Sequence, residues 1–243
     1  MRGTVHIGTS GWHYRHWRGP FYPANLPVPK QLAFYAERLN TVELNNTFYR
    51  LPTPSAVAGW RDGTPEQFCF AVKGSRFLTH MRKLRDPAPG LARFFERIDG
   101  LGAKLGPIVF QLPPNWDVDA ERFEAFLTHL PRGHQYAFEF RNPTWHTPAI
   151  YELLHRHNAA FCIFELAGFH SGLEITADFT YVRLHGPGNA YQGLYSPSAL
   201  QTWSDRIDEW RTQLRGIFVY FDNDQAAYAV ENAIALKRML QTQ

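Results

Sequence analysis

Residues 136–141 read Tyr136-Ala137-Phe138-Glu139-Phe140-Arg141, and their alternation decides the fold. Side chains two apart on an extended chain share a face. Ala137, Glu139 and Arg141 therefore lie opposite Tyr136, Phe138 and Phe140. The bulky face suits a covering layer of helices, and the small face suits a crowded interior that turns polar at its C-terminal end. Seven further runs stop in the same way at a polar residue: His6–Gly8, Thr41–Leu44, Phe68–Val72, Ile108–Phe110, Ala160–Phe164, Tyr181–Leu184 and Gly216–Phe221. Eight such strands separated by helical stretches specify an α/β fold, a (β/α)8 TIM-type barrel. Such a barrel needs about 250 residues as one domain, so the 243 residues are expected to form one domain spanning 1–243.

Helical spacing places crossover helices at Pro29–Leu39, Pro54–Trp60, Pro87–Leu105, Asp119–Leu130, Thr147–His157, Ser198–Leu214 and Gln225–Leu240, with Asp119 as a cap. The Gly-rich stretch Glu165–Asp178 is weakly periodic, so the sixth crossover is expected to be degenerate.

Catalytic groups of such barrels sit where the strands end at the C-terminal rim. Glu43, Lys73, Gln111, Glu139, Arg141, Arg183 and His185 all fall there on the inward parity. Glu43, Glu139, Lys73 and His185 are the catalytic candidates. Glu139 or Glu43 would act as general base and Lys73 or His185 as acid. A desolvated Lys73 could also serve as base or Schiff-base nucleophile. The competing reading is an internal ion-pair network among the same residues. The two differ in Glu139→Gln: an ion pair predicts a loss of roughly 3 to 5 kcal/mol, a ligand-strained site predicts level or raised stability.

The remaining rim residues supply binding. Arg141 and Arg183 would hold an anion, Trp12, Tyr14 and Trp145 would cover a ring, and Asn45, Gln111 and Asn223 would orient polar groups. The loop Lys73–Asp86 carries five Lys/Arg against one Asp, and reads either as an anion clamp or as a solvated surface. Beside the aromatic first loop, Trp12–Arg18, it also permits a nucleic-acid reading. A ligand-binding barrel without turnover is the third alternative.

The net charge of +3 allows an anionic partner and does not by itself imply nucleic acid. Aromatic residues make up 15%, enough for ring-lined surfaces. No cofactor is identified. A divalent metal is not favoured, because Lys73, Arg141 and Arg183 would oppose it and no local His/carboxylate ligand spacing exists. Cys69 and Cys162 read as small buried hydrophobes. No signal peptide precedes the first strand and no run approaches a membrane span, so a cytoplasmic protein is expected.

Several motifs together resemble the YecE-like family, the domain of unknown function 72. They are Gly8-Thr9-Ser10-Gly11-Trp12 with Phe21-Tyr22-Pro23, Thr41-Val42-Glu43-Leu44-Asn45-Asn46-Thr47-Phe48-Tyr49, and Gln111-Leu112-Pro113-Pro114. Leu105-Gly106-Pro107, Glu139-Phe140-Arg141 with Trp145, Tyr181-Val182-Arg183-Leu184-His185-Gly186, Tyr220-Phe221-Asp222-Asn223 and Ala229-Val230-Glu231-Asn232-Ala233 complete the set. Asp222 departs from the family, which more often has Asn there. The resemblance implies a TIM-type barrel and no particular reaction.

Overall fold

The computed structural model describes residues 2–241. Strands β1 (Thr4–Thr9), β2 (Thr41–Leu44), β3 (Cys69–Lys73), β4 (Leu105–Leu112), β5 (Tyr136–Phe140), β6 (Ala160–Leu166), β8 (Phe179–Leu184) and β9 (Gly216–Phe221) form one parallel sheet. Its order is β1-β9-β8-β6-β5-β4-β3-β2, a nearly closed TIM-type barrel. The helices are α1 (Gln31–Ala36), α2 (Asn46–Tyr49), α3 (Pro54–Asp62), α4 (Pro87–Ile98), α5 (Ala120–His129), α6 (Pro148–Arg156), α7 (Pro197–Trp210) and α8 (Tyr228–Gln241). Between β6 and β8 there is no helix, only the two-residue strand β7 (Phe169–His170) folded back antiparallel on β6. The weak periodicity after Glu165 anticipated that gap. Asp119 caps α5 as expected, accepting from the Arg122 amide at 3.1 Å.

The inward and outward parities hold. Ala71, Val109, Ala137, Cys162, Tyr181 and Tyr220 fill the interior. The outward rings pack against helices, Phe138 on Phe123 at 4.9 Å and Phe110 on Phe126 at 5.2 Å. Low in the barrel, His6 stacks flat on Phe218 at 4.7 Å. Burial pushes its imidazole down to about 4, so a neutral ring packs there at pH 7.

Closure between β1 and β2 is made largely by side chains. Asn40 imitates a strand backbone: its amide donates to the Val5 carbonyl at 2.9 Å, and its oxygen accepts from the Ile7 amide at 3.2 Å. The Tyr35 hydroxyl continues the seam, accepting from the Thr9 amide at 3.0 Å and donating to the Thr41 carbonyl at 2.9 Å. Gly8 is obligatory here, because a Cβ at that position would stand 2.1 Å from the Thr41 oxygen. Above it the backbones meet directly, Gly11 donating to the Glu43 carbonyl at 2.9 Å. Among the described residues, no helix is long and apolar enough to cross a membrane.

Replacing Tyr35 by Phe strands a buried N–H and a buried C=O, each normally satisfied in a native protein. A destabilisation of about 1 to 3 kcal/mol is expected, read by chemical denaturation. A change under about 0.5 kcal/mol would mean that the seam does not depend on this hydroxyl.

Candidate active site

Strand ends bring the charged groups together at the C-terminal mouth, and Arg183 is their centre. Its guanidinium is fully buried. Nε and Nη2 fork onto Glu43 at 3.0 and 2.7 Å, while Nη1 donates to Glu139 at 2.6 Å. Glu43 also accepts from the Ser10 hydroxyl and the Tyr181 hydroxyl, both at 2.6 Å. Its oxygens thus take four donors, leaving little capacity to receive a substrate proton. Glu139 is shared between Arg183 and Arg141. Burial alone would raise its carboxyl, but the two guanidiniums outweigh that and hold it well below the usual range.

His185 is buried behind this pair. Nδ1 lies 3.0 Å from Asp222, an acceptor, and Nε2 lies 3.2 Å from the Arg141 guanidinium, a donor. That pairing assigns the Nδ1–H tautomer. Burial would raise the Asp222 carboxyl, but the His185 hydrogen bond and Arg183 bring it below its ordinary value.

Lys73 differs from all of these. It ends β3 on the inward parity, yet among the described residues its Nζ makes no ion pair and no hydrogen bond, resting instead 4.5 Å over the Phe48 ring. Burial and the nearby Arg183 push the amine down to about 8, against the pull of Glu139, Glu43 and Asp222. The ion pair with Glu139 or Glu43 that its position suggests does not form, because Arg183 and Arg141 already occupy both carboxylates. Gln111 stands in register with Glu139, and its side chain likewise makes no hydrogen bond among the described residues.

Other expected positions are redistributed. Trp145 does not cover the mouth: it is fully buried, stacks on Phe140 at 5.2 Å and donates to the Trp116 carbonyl at 2.7 Å. The short turn Pro143–Trp145 carries it to the outside of the wall. Its place beside Arg141 goes to Phe164, 5.2 Å from the guanidinium. Asn223 is also turned away, its amide donating to Gly193 at 2.7 Å and Asn232 at 2.9 Å, which fastens the loop after β8 to α8. Trp12, Tyr14 and Asn45 do converge, with Gly11, His13 and Trp60, on a cleft of about 190 Å³. The rest of the first loop is a packed lid: Trp17 and Tyr22 are buried, and Trp17 donates to Asp224 at 2.6 Å.

The basic loop after β3 does not act as one block. Arg82 pairs with Asp86 at 2.5 Å, and Arg85 lines a surface groove with Pro87, Arg122 and His129. Arg76 is exposed, 6.0 Å over the Tyr49 ring, while His80 packs edge-on against Phe48, the ring beneath Lys73. Burial, then Lys73, Arg76 and Arg141, push His80 down to about 4. No cluster of three or more metal-ligating side chains occurs among the described residues. Tyr181, absent from the expected site, shares the inward parity of Arg183; that spacing was the available signal.

Barrel and mouth together define a TIM-type protein whose polar centre lies at the C-terminal strand ends. The chain belongs to the family described as Protein of unknown function DUF72, whose profile matches residues 6–243. It is 24% identical to YunF of Bacillus subtilis (strain 168), over 98% of this chain and 94% of that one. YecE of Escherichia coli (strain K12) is 30% identical over 57% of this chain and 49% of that protein. A DUF72 family protein of Thermotoga maritima MSB8 superposes with TM-score 0.89 at 27% identity, over 98% of this chain and 99% of its own.

Glu139 thus neutralises two guanidiniums, and Glu139→Gln is expected to cost roughly 3 to 5 kcal/mol, as loss of one partner of a buried pair does. This reverses the expectation from a ligand-strained site. Gln111→Leu, which breaks no hydrogen bond, is expected to stay within about 0.5 kcal/mol of the parent. Denaturation curves of both variants test the assignment, and the reverse ranking would contradict it.

Proposed function

We propose that the protein is an enzyme acting on a small anionic, ring-bearing compound at the barrel mouth, with Lys73 as the group that moves the proton. One observation carries this reading: among the described residues Lys73 has no ionic partner, while Glu43 and Glu139 are held by guanidiniums and Asp222 by His185 and Arg183. An amine with a pKa of about 8 has both protonation forms near neutral pH, which acid–base catalysis requires.

Glu43 and Glu139 then serve differently from the general base expected of them. They fix Arg183 and Arg141, and their negative charge keeps a proton within reach of Lys73. Arg141 and Gln111 flank the space for the anion, and Arg76 and His80 add donors at the rim. The Trp12–Tyr14 cleft supplies apolar surface for a ring, and Asn45 a nearby amide. Nucleic-acid binding has weaker support, because Arg82 and Arg85 are engaged away from the mouth.

A thermal-shift screen of carboxylated and phosphorylated metabolites tests the reading. A raised melting temperature is expected with at least one anion class, and it is expected to be lost in Lys73→Met. No response across both classes would count against it.

The proton on Lys73 has its own signature. The lysine falls from 10.5 in the unfolded chain to about 8 in the fold. Between those values the unfolded chain binds more protons, so this group's contribution to stability rises with pH. The stability difference between the parent and Lys73→Met is therefore expected to shift in the parent's favour by about 2 to 3 kcal/mol from pH 7 to pH 10.5. A flat difference would show that the lysine is not desolvated.

A further inference from the structure

We propose that Lys73 is a covalent nucleophile as well, joining through Nζ to the carbonyl carbon of a small substrate that bears a carboxylate or a phosphate. This rests on the reading of Lys73 given above and adds to it a bond.

The backbone that carries the amine is fixed. Thr47 donates its hydroxyl to the Lys73 carbonyl at 2.6 Å, and the Gly74 amide donates to the Val109 carbonyl at 2.8 Å. Gly74 lies so close to the Phe110 ring that a Cβ there would stand 2.3 Å from it. The side chain is held against Phe48, which shields one side of the amine. Lys104 donates to the Thr64 carbonyl at 2.7 Å, Lys237 donates to the Arg38 carbonyl at 2.6 Å, and Lys30 is exposed. Lys83 is half-buried and its Nζ, like that of Lys73, makes no hydrogen bond or ion pair among the described residues, but it lies in the turn beyond the strand and not at its inward-facing end. Cys162, a second nucleophile type facing the interior, is fully buried, and burial pushes its thiol far up. An amine without partners in a desolvated pocket is the form in which lysine attacks carbonyls.

The step balances without a redox partner. The Nζ lone pair forms a C–N bond as the carbonyl π pair moves to oxygen, which takes up a proton. Nitrogen gives up one of its protons, the oxygen takes a second and leaves as water, and a protonated imine remains. One neutral amine, one carbonyl and one proton from solvent thus yield one protonated imine and one water. The imine keeps the positive charge at the Lys73 position, where Glu139, Glu43 and Asp222 already favour a cation. The substrate's own anion would face the guanidiniums of Arg141 and Arg76, with the neutral His80 ring beside them.

The test is reductive trapping with sodium borohydride near pH 8, using pyruvate, dihydroxyacetone phosphate and uncharged acetone in parallel. Peptide mass mapping is applied to the parent, Lys73→Arg and Lys73→Met. A reduced adduct on Lys73 is expected from at least one charged carbonyl, about tenfold above acetone, and absent from both variants. The two charged probes distinguish carboxylate from phosphate recognition. No adduct, or adducts spread equally over Lys30, Lys83 and Lys73, would overturn the proposal. Acetate and methyl phosphate are run alongside in the melting assay. If either stabilises the parent but not Lys73→Met while no adduct forms, the covalent step fails and the proton-transfer reading stands. If neither stabilises and no adduct forms, both fail.

Discussion

A guanidinium with no exposure to water holds the mouth of this barrel together. Burying an ion costs several kcal/mol, and only well-placed opposite charge offsets it. Arg183 from β8 finds that charge on Glu43 of β2 and Glu139 of β5, with Asp222 after β9 at 3.4 Å. These partners come from distant parts of the chain and meet only when the barrel has closed. The seam that closes it ends at Ser10 and Glu43, so the side-chain stitching by Asn40 and Tyr35 and the ionic centre support one another. Ser10 Oγ, 2.6 Å from Glu43, is the physical link between them.

The network also determines what stays available. Each carboxylate is committed to a cation or to His185, and the guanidiniums of Arg183 and Arg141 are committed in return. The side chains of Lys73 and Gln111 remain, on adjacent strands β3 and β4, without a hydrogen bond or ion pair among the described residues. The division is one of position against reaction: the paired groups fix geometry and potential, and the unpaired ones meet whatever enters. A metal would have to displace arginines from the carboxylates, at the full cost of leaving those arginines buried and unpaired.

Strand parity made much of this legible. Period two on Tyr136–Arg141 and Thr41–Asn45 pointed Glu139, Arg141 and Glu43 inward, because a barrel interior admits only one face of each strand. The same parity would have included Tyr181, two residues before Arg183. Parity fails beyond the last strand residue, where turn geometry takes over. Trp145 lies five residues past Phe140, the last residue of β5, and is swung outside by the turn at Pro143, and Asn223 points to α8 and not to the mouth. Nor does sequence say which cation a carboxylate will choose. Glu139 could have paired with Lys73; the forked guanidinium, with several donors on one plane, satisfies two carboxylates at once and an ammonium does not. The basic loop left its two readings open for a related reason, since charge composition does not say which side chains turn back toward the mouth.

The central claim is that Arg183 and Arg141 take the carboxylates and leave Lys73 desolvated and unpaired. A pH titration of the intact protein carrying carbon-13 at the lysine ε position reads this directly, with Lys73→Arg identifying the resonance. The account predicts one lysine signal titrating near pH 8, absent from the variant. A Lys73 signal that titrates near 10.5, the value of the unfolded chain, would contradict it.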